Sequence, residues 1–181
     1  MLRPDVPHTE VTCSMADLGP ISLQLVTEKA ERRLWEAMID THHPQGWARS
    51  PGGQLKYWIV SQRWGILGGI GFGSATHQLR ARGVWIGWSA TARFANIQRV
   101  LCNHRFLILP GVRVYGLASQ VLRLATQGVA DDWNACYSEQ PLAVYSHVGA
   151  QYSGYSYHRA GWRTTLQVIG SPTDWHVGGC R

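Results

Sequence analysis

Between Asp40 and Asp131 the chain carries no carboxylate. A nuclease or transposase centre of the type that spaces three acids through its core to hold two metal ions cannot be built from that stretch. Lysine is scarce as well: of 17 basic residues, 15 are arginine, and only Lys29 and Lys56 are lysine. The four cysteines, Cys13, Cys102, Cys136 and Cys180, are scattered without paired metal-ligand spacing, so reduced thiols and no bound metal are expected. No run approaches the roughly 18 apolar residues of a membrane span. Residues 1–8 lack the apolar segment of a signal peptide, so the expectation is a cytoplasmic protein away from the membrane.

The acid-free block instead holds Arg49, Lys56, Arg63, Arg80, Arg82, Arg93, Arg99, Arg105, Arg113 and Arg123, in a chain of formal net charge +6. Cations without countercharges make a field that draws in a polyanion. Arginine suits it, because the guanidinium forks onto phosphate and stacks on bases. DNA is therefore the expected partner, with Arg80, Arg82, Arg93, Arg99 and Arg105 as contacts and Trp88 as a stacking residue. The competing reading is a solvated basic face, or pairing with the acids near the two ends of the chain.

With 181 residues there is room for one domain with a real core. Residues 1–17 read as a flexible lead, 18–170 as the folded domain and 171–181 as a tail. Alternation over 21–26 predicts a strand, and Thr27 predicts the cap of a helix with a stripe at Leu34, Trp35, Met38 and Ile39. Residues 54–61 and 64–72 form a hairpin, whose glycines imply close approach of a backbone or ligand. A short helix over 74–82, a tight apolar segment over 84–88 and a helix over 90–103 follow. Then come a buried strand at 106–109, a helix from Ser119, a strand at 142–147, a short helix at 152–159 and a strand at 162–169. This order predicts an α/β domain: a single mixed central sheet with flanking helices.

The strand at 106–109 and the following helix enclose Arg113-x-x-Gly116-x-Ala118. Small residues there let an anion reach the backbone N–H groups of a helix start, where the helix dipole favours negative charge. Arg113, Gly116, Ala118 and Ser119 are the resulting cofactor-binding candidates. His43, in the loop after the first long helix, is a candidate base.

The turn after the central strand resembles the pyrophosphate-holding turn of the GNAT acyltransferase superfold. The segment from Tyr157 through Gly161 to Trp162 is similar to the closing Tyr-x-x-x-Gly-aromatic segment of many GNAT domains. That resemblance implies acyl-CoA as cofactor and Tyr157 as the acid that protonates the leaving thiolate. A closer likeness covers residues 18–165. It rests on 42–47, 53–58, 85–88, 103–110, Leu117-Ala118-Ser119 and Tyr157-x-x-Ala160-Gly161-Trp162, which together resemble the DruA family. That family is a component of the Druantia anti-phage system and is found beside transposable elements. The domain is also distantly similar to Mom, a GNAT-like phage protein that modifies adenine in DNA. The resemblance implies a DNA-directed role in defence or mobile-element biology, with GNAT-like transferase activity. Gly83, Tyr145, Gly149 and Ser156 depart from the family pattern. Two alternatives therefore stand beside it: a non-catalytic nucleic-acid adaptor of the same fold, and a small-molecule acyl-CoA acetyltransferase.

Overall fold

The computed structural model of the chain describes residues 6–77, 79–149, 151–165 and 173–179. The order begins β1 (Val11–Thr12), α1 (Met15–Leu18), β2 (Ile21–Leu25), α2 (Lys29–His42), β3 (Gln54–Ser61) and β4 (Gly65–Ser74). It continues with α3 (Arg80–Ile86), α4 (Ala90–Asn96), a 3₁₀ turn (Ile97–Arg99), β5 (Val100–Ile108), β6 (Val112–Arg113) and α5 (Leu117–Tyr137). β7 (Ala143–Gly149), α6 (Tyr155–Arg159), β8 (Arg163–Thr165) and β9 (Thr173–Gly179) complete it. Seven strands form one mixed sheet in the order β2-β3-β4-β5-β7-β9-β8, antiparallel except where β5 and β7 run parallel. The mixed sheet with flanking helices expected from the pattern is the observed class.

The two long helices cover opposite faces of the β3–β4 hairpin. On one face Trp35 of α2 lies against Gly69 and Gly71, where added Cβ atoms would come within 2.5 Å of its Nε1 and 3.0 Å of its ring. Its indole N–H donates to the Tyr57 carbonyl at 3.0 Å. On the other face Tyr57 meets Phe72 edge to face, and its hydroxyl donates to Asp132 of α5 at 2.8 Å. The glycines of β4 are thus flat seats for side chains of the protein itself. Trp35, Met38, Ile39, Ile59, Leu67, Ile70 and Phe72 are fully buried, and their removal from water supplies the main drive for this layer.

Several readings need correction. The helix expected over 90–103 ends at Asn96, and Val100 begins the central strand. Val100, Leu101 and Cys102 are apolar on both faces of a strand buried mid-sheet, a run that periodicity does not separate from a helix. The flexible lead over 1–17 is ordered in its described part: Val11 pairs with Val112 and is buried, and the Ser14 hydroxyl caps α1. The tail over 171–181 contributes β9 to the main sheet. The cap of α2 falls at Glu28, not Thr27. Of the strand expected over 162–169, β8 is the described portion; 166–169 lie outside the described residues.

Candidate active site

β5 uses its two edges differently. Along one it pairs with β4 from Ser74↔Leu101 to Gly68↔Ile108. Along the other it pairs with β7 at four positions, Val100↔Ala143 to Asn103↔Ser146. β7 then continues along β9 while β5 goes its own way, so the two parallel strands part as a fork. A cleft of about 430 Å³ lies in the fork, lined by residues 103–108, 146–149 and 151–157 with His43, Pro44 and Gln45.

The β4 register has a step at the same place. Gly71 faces Arg105 and Phe72 faces Asn103, leaving His104 as the extra residue of a bulge. Its ring rests over Gly71 and Gly73, where Cβ atoms would lie 3.0 and 3.1 Å from it.

At the apex of the fork sits Asn103, 2% exposed. Its Nδ2 donates to the carbonyls of Gly71 (3.0 Å) and Arg105 (3.1 Å), which turns Oδ1 toward α6. The Tyr157 hydroxyl donates to that Oδ1 at 2.9 Å and lies 3.0 Å from Ser146 Oγ. Ser146 in turn donates to the Asn103 carbonyl at 3.0 Å. Burial pushes the Tyr157 hydroxyl up to about 12, so it holds its proton at neutral pH.

Three histidines, His43, His104 and His147, line the cleft. The Nε2 of His104 is buried and has no hydrogen-bond partner among the described residues. Burial, with the Arg105 charge second, lowers this imidazole to about 4, so it is neutral and able to accept a proton. His43 is likewise lowered to about 4 by burial and then by Arg105. Its Nδ1, however, already accepts the Gln45 N–H at 3.2 Å, which puts its proton on Nε2. His43 therefore lines the cleft as a donor through Nε2. Beyond His104 lies a second cavity of about 910 Å³, which shares Gln45, His104, Arg105 and His147 with the cleft. Cys102 on its wall is a thiol pushed up to about 11 by burial, hence not a thiolate nucleophile at neutral pH.

The anion cradle is open at its key position. Gly116 caps α5 at φ 85°, without a side-chain cap or an acid in the first turn. A Cβ there would meet Met15 Cγ alone, at 3.9 Å. The neighbouring Tyr115 hydroxyl lies 3.2 Å from that of Tyr155, which lines the cleft, so the start of α5 borders the cleft mouth. Ala118 is half-buried and Ser119 buried. Arg113 lies apart, on β6 in a recess with Glu10 and Thr12.

The arginines assigned to DNA are not one surface. Arg82 is 2% exposed, donates to the Thr76 carbonyl at 2.7 Å and lies over the Tyr145 ring, so it is withdrawn from any external partner. Arg105 donates to the carbonyls of Gly46 and His104, each at 2.7 Å, and Arg99 to that of Gln140 at 3.1 Å. In a block without acids, backbone carbonyls serve as the partners. Arg93 and Trp88 are half-buried, and the Arg80 side chain lies outside what is described. Asn103, His104 and Ser146 drew no role from the sequence. The polar triplet 103–105 inside an apolar run was their signal, hidden while that run read as the end of a helix.

Solved structures place the fold. Spermidine N-acetyltransferase from Vibrio cholerae in its dodecameric intermediate state superposes with a TM-score of 0.51 at 12% identity, covering 87% of this chain and 91% of its own. The same enzyme in complex with CoA and spermine gives 0.50 at 11% identity, over 87% and 92%. A probable GNAT-family acetyltransferase from Chromobacterium violaceum gives 0.44 at 14% identity, over 98% and 94%. At such identities the likeness is one of fold, and the fold is GNAT-like. No curated protein sequence matches this one. The model of the Druantia protein DruA family matches residues 7–155, most of the chain, and the chain belongs to that family.

Proposed function

We propose that the protein is a GNAT-type transferase that acts on DNA with an acyl-CoA donor. One observation carries this reading: a protonated hydroxyl, Tyr157, held by Asn103 and Ser146, stands at the fork in the sheet, with the neutral imidazole of His104 among the lining residues. When bound, the donor supplies an activated acyl group and a thiolate leaving group. The N-terminus of α5 at Gly116 fits its phosphates, being open and free of acid side chains. Tyr157 Oη–H delivers a proton to the departing thiolate, and the neutral imidazole of His104 takes one from the attacking amine on a base. Ser146 and Asn103 hold the tyrosine in position. A polyamine acceptor is disfavoured: Arg105 stands between cleft and cavity, and Glu139 is the one carboxylate among their described lining residues.

Thermal melting with CoA tests the donor. Bound CoA raises the midpoint by mass action, and Ala118→Glu removes the rise. An unmoved melting curve for the native chain rejects the donor. Transfer of an acyl group to an oligonucleotide, read by mass, should fall on the order of 10²-fold in both Tyr157→Phe and His104→Gln. The two partners already held by the Tyr157 hydroxyl favour a second reading, a non-catalytic adaptor. In that case Tyr157→Phe leaves every measured property of a DNA complex unchanged and no transfer occurs.

A further inference from the structure

A second positively lined recess lies away from the fork, between the start of α2 and the loop leading to β3. Its volume is about 560 Å³, and its wall carries Lys29, Arg32 and Arg33 from α2, Arg49 from the loop and Lys56 from β3. The one carboxylate on this wall, Glu36, is already bonded to Lys56. Among the described residues, Lys29, Arg33 and Arg49 have no hydrogen-bond or ion-pair partner, and Arg32 has a 3.5 Å contact to the Thr27 carbonyl. The cations converge: Arg32 and Arg49 both add to the burial that lowers Lys56. Like charges gathered around a concave surface repel one another unless an anion sits among them.

Two aromatic rings distinguish the anion wanted here. Trp47 lies under the Lys56 ammonium at 4.4 Å, and Tyr137 forms part of the wall. Tyr137, Ser50, Pro51 and Gly52 also border the 910 Å³ cavity that contains His104. The recess and the fork are therefore successive stations along one surface path. We infer that this recess seats the phosphodiester backbone of a single nucleic-acid strand whose neighbouring base enters the His104 cavity. Basic grooves that run beside stacking rings bind strands in this way, whereas a free phosphate has no use for the rings. The inference rests on the reading of DNA as acceptor and names where that strand is held. None of the arginines assigned to DNA from the sequence lies in this recess.

The test uses the full chain with fluorescent single-stranded DNA and RNA oligonucleotides across a salt series. The variants are Arg33→Glu and Arg49→Glu, both exposed side chains without partners, so the fold is expected to persist. The expected result is at least a tenfold loss of affinity in each. The salt slope should fall by roughly 0.7 per lost phosphate contact, with melting temperature and CoA stabilisation unchanged. Preference between the two oligonucleotides identifies the strand. Native-like binding by both variants overturns the inference while leaving a DNA-directed transferase intact. Failure of the native chain to bind either oligonucleotide overturns both. Displacement by inorganic polyphosphate at equal phosphate concentration shows a charge-only site and also overturns the strand.

Discussion

The two edges of β5 form a natural experiment within one strand. Its β4 edge is paired from end to end, with glycines letting Trp35 and His104 lie flat on the neighbouring strand. Its β7 edge stops pairing after Asn103, and the chemistry collects where pairing stops. The first edge is rigid because every added atom would collide. The second is available because unpaired backbone has opened a cleft and buried polar groups have had to find partners across it. A bulge at His104 interrupts the packed edge and lays its ring over Gly71 and Gly73.

This contrast can be broken most severely on the packed edge. In Gly68→Val the new Cβ would lie 2.1 Å from the Leu107 carbonyl oxygen, a backbone atom that cannot step aside. A loss of about 3 kcal/mol or more is expected, at or above the upper end for overpacking, and urea denaturation measures it. Next in size is Asn103→Leu, which strands the Gly71 carbonyl and removes the acceptor of the Tyr157 hydroxyl. Unpaired buried groups cost about 1–3 kcal/mol, so the fold should survive with reduced stability. Because burial holds the Tyr157 hydroxyl up, its titration in ultraviolet absorbance should stay near 12 in this variant.

Acid should act on the bulge. His104 is held near 4 in the folded chain, below the 6.5 of an unfolded histidine, so the unfolded state binds more protons between those values. Stability is therefore complete above about pH 6.5 and declines as pH falls toward 4. Denaturation at a series of pH values measures this, and His104→Gln should flatten part of the decline. His43 contributes in the same direction. The smallest stability effect belongs to the open edge. Tyr157→Phe keeps the ring against Trp162 and Phe106 and should cost about 1 kcal/mol or less. A large fall in stability would mean that the hydroxyl network is structural.

Much of the scaffold was legible. The β3–β4 hairpin, the apolar stripe of α2 and the strand–turn–helix at Gly116 follow from alternation, 3.6-residue spacing and small residues at a helix start. The candidate site was half legible. Tyr157 came from a local motif, whereas Asn103 and Ser146, which hold its hydroxyl, meet it only across the sheet. The arginines misled for a related reason. Composition counts their charges, but only packing reveals that Arg82 and Arg105 satisfy carbonyls of the chain itself.

What the amino-acid order determined alone was local: which segments are strands or helices at strong periodicity, an acid-free basic middle, and an open turn ahead of α5. Tertiary structure decided where β5 and β7 separate, what holds the Tyr157 hydroxyl and which cations stay unmatched. Those properties arise between segments distant in the chain. Residue 104 meets 71, 103 meets 157 and 49 comes near 56 only after the sheet has closed, and no short-range pattern encodes such a meeting.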